Sequence, residues 1–194
     1  MRLKVFVLLA ALVGLSTPVH AAFDSSGYSS TARFLATGYD RSETLTNFPV
    51  LIRLGTNLTG FRYPQFRSAQ AADLRFVDEA GNELNSEVEL WNTNGSSFVW
   101  VQVPLLTQRT AIRMYWGKSG LAVPSYRTNG ATFNDGCFAA VWHMQTNYVT
   151  DSTPNGFKAA SIPVPSAIVA VNGLIGLAER FNGTAGSDNR IQIS

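Results

Sequence analysis

Few side chains in this sequence can do chemistry, and they set the first constraints. There are two histidines, His20 and His143, and one cysteine, Cys137. His20 falls in an N-terminal segment with the features of a removable leader. That leaves His143 alone and excludes a metal site built from several histidines. Cys137 and His143 could form a nucleophile–base pair. On one extended strand, however, six residues separate them by roughly 20 Å, so they would meet only across a fold-back. Cys137 is therefore expected to be a small buried residue, with an intermolecular bridge as the other use of a single cysteine in an exported chain. His143, beside Trp142, is expected to pack and hydrogen-bond at a strand end.

Glu87 and Glu89 form the best carboxylate pair. Positions i and i+2 share a strand face at about 6–7 Å, a spacing that glycosidases use. Glycosidase pairs usually come from different strands around a cleft, so the simpler reading is two charges on the wet face of an amphipathic strand. Trp91 falls on the same face by alternation. An exposed aromatic ring beside polar groups suits sugar stacking, so Trp91, Glu87 and Glu89 are the candidate ligand-binding residues. No catalytic residue and no metal ligand is assigned. Asp73, Asp78 and Glu79 surround a turn, and Asp151, Asp188 and Asn189 lie in later loops. Oxygen-rich loops of this kind can hold Ca²⁺, but no twelve-residue calcium loop is present, and Asp and Asn also cap turns. No cofactor is expected beyond that Ca²⁺ option. There is no phosphate-binding glycine loop and no Gly-x-Ser-x-Gly elbow. Asn57-Leu58-Thr59 and Asn182-Gly183-Thr184 are glycosylation sequons, relevant only in a eukaryotic secretory host.

The elements that must position these residues begin after a leader. Arg2 and Lys4 form a basic start, Val5 to Leu15 is an uncharged apolar run, and Ser16 to Ala22 is rich in small residues. This is the layout of a signal peptide, with the cut placed after Ala21. The run of 11 residues is short against the ~20 that a membrane span needs. The full chain carries 15 basic and 13 acidic side chains. Arg2 and Lys4 leave with the leader, so the mature chain is balanced. It then has no electrostatic footprint for nucleic acid or anionic lipid. About 170 mature residues suffice for one core, or for a small domain and part of another.

Short apolar stretches punctuated by Gly, Asn and Pro predict many strands and no sustained helix. Strands are expected at Arg33–Tyr39, Phe48–Leu54, Asp73–Val77, Glu83–Trp91, Phe98–Val103 and Thr110–Trp116. Pro49 marks a strand start or an edge, and Pro104 is expected to end its strand. Asp78 to Asn82 reads as the turn of a hairpin, and Asn92 to Gly95 as a second turn. Ile112, Met114 and Trp116 share one face, with Ala111, Arg113 and Tyr115 opposite. Phe98–Val103 is apolar on both faces, as in a central strand. Val88 and Leu90 share a face opposite Glu87, Glu89 and Trp91. The expected fold is all-β: an antiparallel β-sandwich, jelly-roll-like, over residues 22–118. Residues 119–132 read as a linker. Residues 133–194 hold a short strand at Phe138–Met144, a turn at Asp151–Gly156, an apolar stretch over Ile162–Val171 and a last strand at Arg190–Ile193. Such a tail cannot close a sandwich alone. It either packs on the first domain or opens something longer.

Five runs stand out in order: Asn47-Phe48-Pro49-Val50-Leu51-Ile52-Arg53-Leu54; Ala72-Asp73-Leu74-Arg75-Phe76-Val77-Asp78 with Gly81; Glu87-Val88-Glu89-Leu90-Trp91; Val99-Trp100-Val101-Gln102-Val103-Pro104; and Ile112-Arg113-Met114-Tyr115-Trp116-Gly117. Together they resemble a bacterial domain-of-unknown-function family at the start of exported multidomain envelope proteins. Some members of that family are fused to MotA/TolQ/ExbB-type proton-channel proteins. The tail resembles the opening of a laminin-G or concanavalin-A-like jelly roll, through Val141-Trp142-His143-Met144, Asp151 to Asn155, Gly176, Ala178, Phe181-Asn182-Gly183 and Asp188 to Ile191. This is an incomplete second jelly-roll segment, and the resemblance supplies no catalytic residues.

The expected function is a non-catalytic, exported recognition or assembly module of the cell envelope, periplasmic, surface-held or secreted. Its expected partner is a cell-surface glycan or an envelope protein, with no nucleic acid, and with membrane contact only through the leader or segments further on. The alternatives are an extracytoplasmic accessory or sensor domain of a proton-channel, biopolymer-transport system, implied by the resemblance, and a fragment of a polysaccharide-acting enzyme that would use Glu87 or Glu89.

Overall fold

A computed structural model describes residues 22–144, 150–161, 168–181, 183 and 191–193. The leader and its cut after Ala21 lie outside these residues, as do Asn182, Asp188 and Asn189. The fold is all-β, with short 3-10 turns as the only helical structure among the described residues. The described residues form ten strands: β1 Ser30–Leu35, β2 Leu45–Leu54, β3 Arg75–Asp78, β4 Ser86–Leu90, β5 Ser97–Leu106, β6 Ala111–Trp116, β7 Ala159–Ser161, β8 Ile168–Asn172, β9 Leu177–Phe181 and β10 Gln192–Ile193. No helix of the described residues is long and apolar enough to cross a membrane.

Two antiparallel three-stranded sheets form the sandwich, in the orders β1-β6-β3 and β2-β5-β4. Alternation explains which side chains fill it. Val99, Val101 and Val103 of β5 face inward, as do Ile112, Met114 and Trp116 of β6, and all six are buried in one core with Leu54, Leu74 and Phe76. Burying each such side chain contributes roughly 1.5–3 kcal/mol. The opposite residue of β6, Arg113, is exposed. β5 is the central strand its two-sided apolarity predicts, and it runs on through Pro104 to Leu106. Pro49 lies inside β2, an edge strand, where a missing N–H is tolerated.

The hairpin expected between β3 and β4 is not formed. Those strands sit in different sheets, joined only by a bridge between Val77 and Glu83. The turn itself is as expected, with Asp78 accepting from the N–H groups of Ala80 and Asn82. Past it, Leu84 drops between the sheets, 3% exposed, and Asn85 donates to Gln102 on β5. The chain thus changes layer at Leu84. The Asn92–Gly95 turn does connect a true hairpin, β4 with β5.

Residues 119–132, expected as a linker, are anchored on the sandwich. Arg127, 5% exposed, donates to the carbonyls of Ala71 and Leu74 at 2.8 and 2.7 Å. Beyond them, Phe138–Met144 is not a strand. Side-chain bonds replace the ladder there: Val141 N–H donates to Asp151 Oδ1, and the Asn155 amide donates to the carbonyls of Phe138 and Ala139. β8 pairs with β9 and β7 with β10 in two small ribbons.

Candidate functional site

The outer face of the β2-β5-β4 sheet carries a cluster of ionisable groups, Glu87, Glu89 and His143. It starts from a fault in β4. The pairing steps from Val88↔Val99 to Leu90↔Phe98, so Glu89 is an extra residue, a β-bulge. A bulge re-aims the side chains that follow it. Of the expected shared face, Glu87 and Glu89 keep a common side and Trp91 leaves it. Trp91 turns to the core side and packs edge-on against Tyr63 and Phe66, with ring centroids 5.3 and 4.9 Å apart. It is half-buried among aromatic rings.

The two carboxylates are not on a wet face either. Glu89 is 4% exposed and accepts from Trp100 Nε1–H at 3.0 Å. The segment after Phe133 crosses this face and lowers His143 between the pair. His143 Nδ1 contacts Glu89 Oε2, and Nε2 lies 3.1 Å from Glu87 Oε1. The second N–H points off that line, so the Glu87 contact is ionic more than a hydrogen bond. Ser152 Oγ donates to the same Glu87 oxygen at 2.6 Å. The Phe133 ring lies 5.6 Å from the imidazole, and Gly176, in the β8–β9 turn, abuts the Glu89 carboxylate.

Burial alone would lower the His143 pKa, but the two carboxylates at its nitrogens outweigh burial and push it up to about 9. At neutral pH the imidazole is therefore protonated, with a carboxyl group at each nitrogen. Both nitrogens face an acid, so neither offers a lone pair to a substrate proton or a metal. No group of three or more His, Cys, Asp or Glu among the described residues is arranged to hold a metal ion.

The other candidates lie apart from this cluster. Cys137 is exposed rather than buried, because it follows a turn in which its N–H donates to Asp135 Oδ1. Asp78 is taken by the N–H groups of its own turn and by the Asn82 amide. Asp73 accepts from the N–H groups of Arg67 and Gly117. Desolvation raises the Asp151 pKa, but the N–H groups of Val141, Thr153 and Phe157 and the Thr153 hydroxyl together outweigh it and hold it below the usual carboxylate range. Glu79 pairs with Arg33.

A second polar cluster was not foreseen from sequence. Arg75, 8% exposed, pairs with Glu83 at 3.1 Å, and Tyr126 donates to the same Glu83 oxygen at 2.6 Å. Burial lowers the Arg127 pKa to about 10 and, with Glu83, raises that of Tyr126. This cluster fastens residues 122–127 to the end of the core.

Residues 70–138 match a family described as a domain of unknown function (DUF2341). The match runs from the approach to β3 through β6 and on past the anchored Arg127, and it includes Glu87, Glu89 and Trp91. Neither the curated proteins nor the solved structures gave a match.

Proposed function

We propose that this chain is a non-catalytic recognition or assembly module, exported by its leader and acting at the cell envelope on a glycan or a partner protein. The observation that carries this reading is the state of the Glu87–His143–Glu89 cluster. A glycosidase needs one carboxylic acid able to give a proton and one free carboxylate, both open to substrate. Here each carboxylate is engaged by His143, one also by Trp100 and the other by Ser152. The cluster joins the 133–153 segment to the sheet, and its two carboxylates are engaged in that joint rather than open to a substrate.

The test uses the full mature chain. It should be retained on cell-envelope polysaccharide, or co-purify with an envelope protein, without releasing reducing sugar. Hydrolysis that disappears in Glu87→Gln or Glu89→Gln would sink this reading and favour the polysaccharide-acting enzyme. A proton-channel accessory role would instead appear as co-purification with a MotA/TolQ/ExbB-type membrane protein.

A further inference from the structure

We propose that the cleft between the loop after β2 and the β4–β5 turn binds an acidic saccharide, a sugar bearing a carboxylate or sulfate. This rests on the recognition function proposed above and gives it a site. The cleft is about 370 Å³ and is bordered by Gly55, Thr56, Phe61, Arg62, Tyr63 and the Thr93–Ser96 turn. Pockets of ~300–1,000 Å³ hold small ligands, so one or two sugar rings fit.

The walls are fixed before any ligand arrives. The Tyr63 hydroxyl lies 3.2 Å from the carbonyls of Leu54 and Gly95 and 2.9 Å from Ser97 Oγ, and it accepts from Ser97 N–H at 3.1 Å. It thus ties the loop wall to the turn wall. Trp91 buttresses the same ring edge-on. The two walls approach so closely that a Cβ on residue 55 would stand 3.3 Å from the Gly95 carbonyl. On the turn, Asn92 Oδ1 accepts from Asn94 N–H. A preformed cleft spares the ligand the cost of ordering its site.

What the walls leave over matches a sugar. The side chains of Thr56, Thr93 and Asn94 have no partner among the described residues. Hydroxyls and amides can both donate and accept, as sugar hydroxyls require. The Tyr63 ring supplies a partly open aromatic surface. The charge is one-sided. Arg62 is exposed and has no ion pair among the described residues, Arg53 stands behind the rim with Nε on Ser96 Oγ at 3.0 Å, and no acid lines the cleft. A guanidinium fork pairs bidentately with a planar anion. A neutral sugar would leave it unused.

The experiment is a titration of the full mature protein with tri-galacturonate, a chondroitin sulfate disaccharide and neutral maltotriose. Binding to at least one acidic sugar should be roughly tenfold or more tighter than to the neutral one, the scale of one charge-assisted hydrogen bond. Arg62→Ala should erase that preference. Asn94→Ala should weaken acidic and neutral binding alike. Thermal unfolding of both variants should match the parent, since neither side chain is buried. Equal affinity for acidic and neutral sugars, no acidic binding at millimolar concentration, or acidic binding indifferent to Arg62→Ala each overturns the proposal. If the protein is still retained on envelope polysaccharide in those cases, the cleft falls and the recognition function stands. If nothing retains it and no partner co-purifies, both fall.

Discussion

Gly130 lies flat against the peptide between Thr153 and Pro154: a Cβ at residue 130 would stand 2.6 Å from the Thr153 carbonyl carbon. Its φ of +80° also lies where a side chain is strained. Two separate reasons therefore require glycine at the point where the former linker meets the tail. Gly130→Ala is expected to destabilise the chain by about 1–3 kcal/mol and to expose the 150–157 loop to protease. A denaturation midpoint equal to that of the parent would show that this contact is dispensable.

His143→Ala strands the buried Glu89 carboxylate and the partly buried Glu87 beside it, and breaking one side of a buried ion pair costs about 3–5 kcal/mol. The loss should be smaller in the triple variant His143→Ala, Glu87→Gln, Glu89→Gln, because neutral amides need no counter-ion. Urea titration of the parent and both variants decides the matter. A triple variant weaker than the single one would mean that packing, not charge, holds the segment.

The pH dependence follows from the same imidazole. Its pKa is about 9 in the fold against 6.5 in an unfolded chain. The stabilisation is therefore complete below pH 6.5 and is lost as pH rises through 9, on the order of 3 kcal/mol in total. Asp151 acts in the opposite direction. Its folded pKa is lowered from 3.8, so its contribution is present above that value and disappears as pH falls below it. Stability measured across the alkaline window should fall in the parent and stay level in His143→Gln. A level profile in the parent would mean that folding does not raise this pKa.

Trp91→Ala is expected to cost about 2 kcal/mol, part of the usual loss for a large aromatic residue, and to disorder Tyr63 beside it. Trp91→Phe should restore most of it by keeping an edge-on ring. Near-ultraviolet circular dichroism with chemical denaturation reads both effects. A fully stable Trp91→Ala would return the residue to the surface role its place in the sequence suggests.

Much of the sandwich is legible in the sequence because alternation is a local signal. Ile112, Met114 and Trp116 announce their face, the two-sided apolarity of Phe98–Val103 announces a central strand, and Pro49 announces either a strand start or an edge, of which the edge is what forms. What escapes is whatever depends on a distant partner. Asp78 to Asn82 spells a tight turn correctly, yet the turn cannot say that Leu84 will cross layers. One bulge at Glu89 reverses the phase of everything after it and moves Trp91 from the wet side to the core. Arg127 reads as a loop arginine until the carbonyls of Ala71 and Leu74 are placed beside it. A hint existed for His143: a single imidazole in a mature chain with a close carboxylate pair invites an ion pair. Nothing local shows that the chain folds back far enough to make it.

The pairing of β1 with β6 sets the order in which the molecule can be made. Ser30 finds its partner only in Trp116, and Leu45 at the start of β2 only in Leu106. A chain emerging from its N-terminus therefore holds its first two strands unpaired until most of the sandwich has appeared. Loop closure over such spans must come before the contacts that reward it, which slows folding. For that interval β1 and β2 have no ladder partner, and neither sheet can close before β5 and β6 are made.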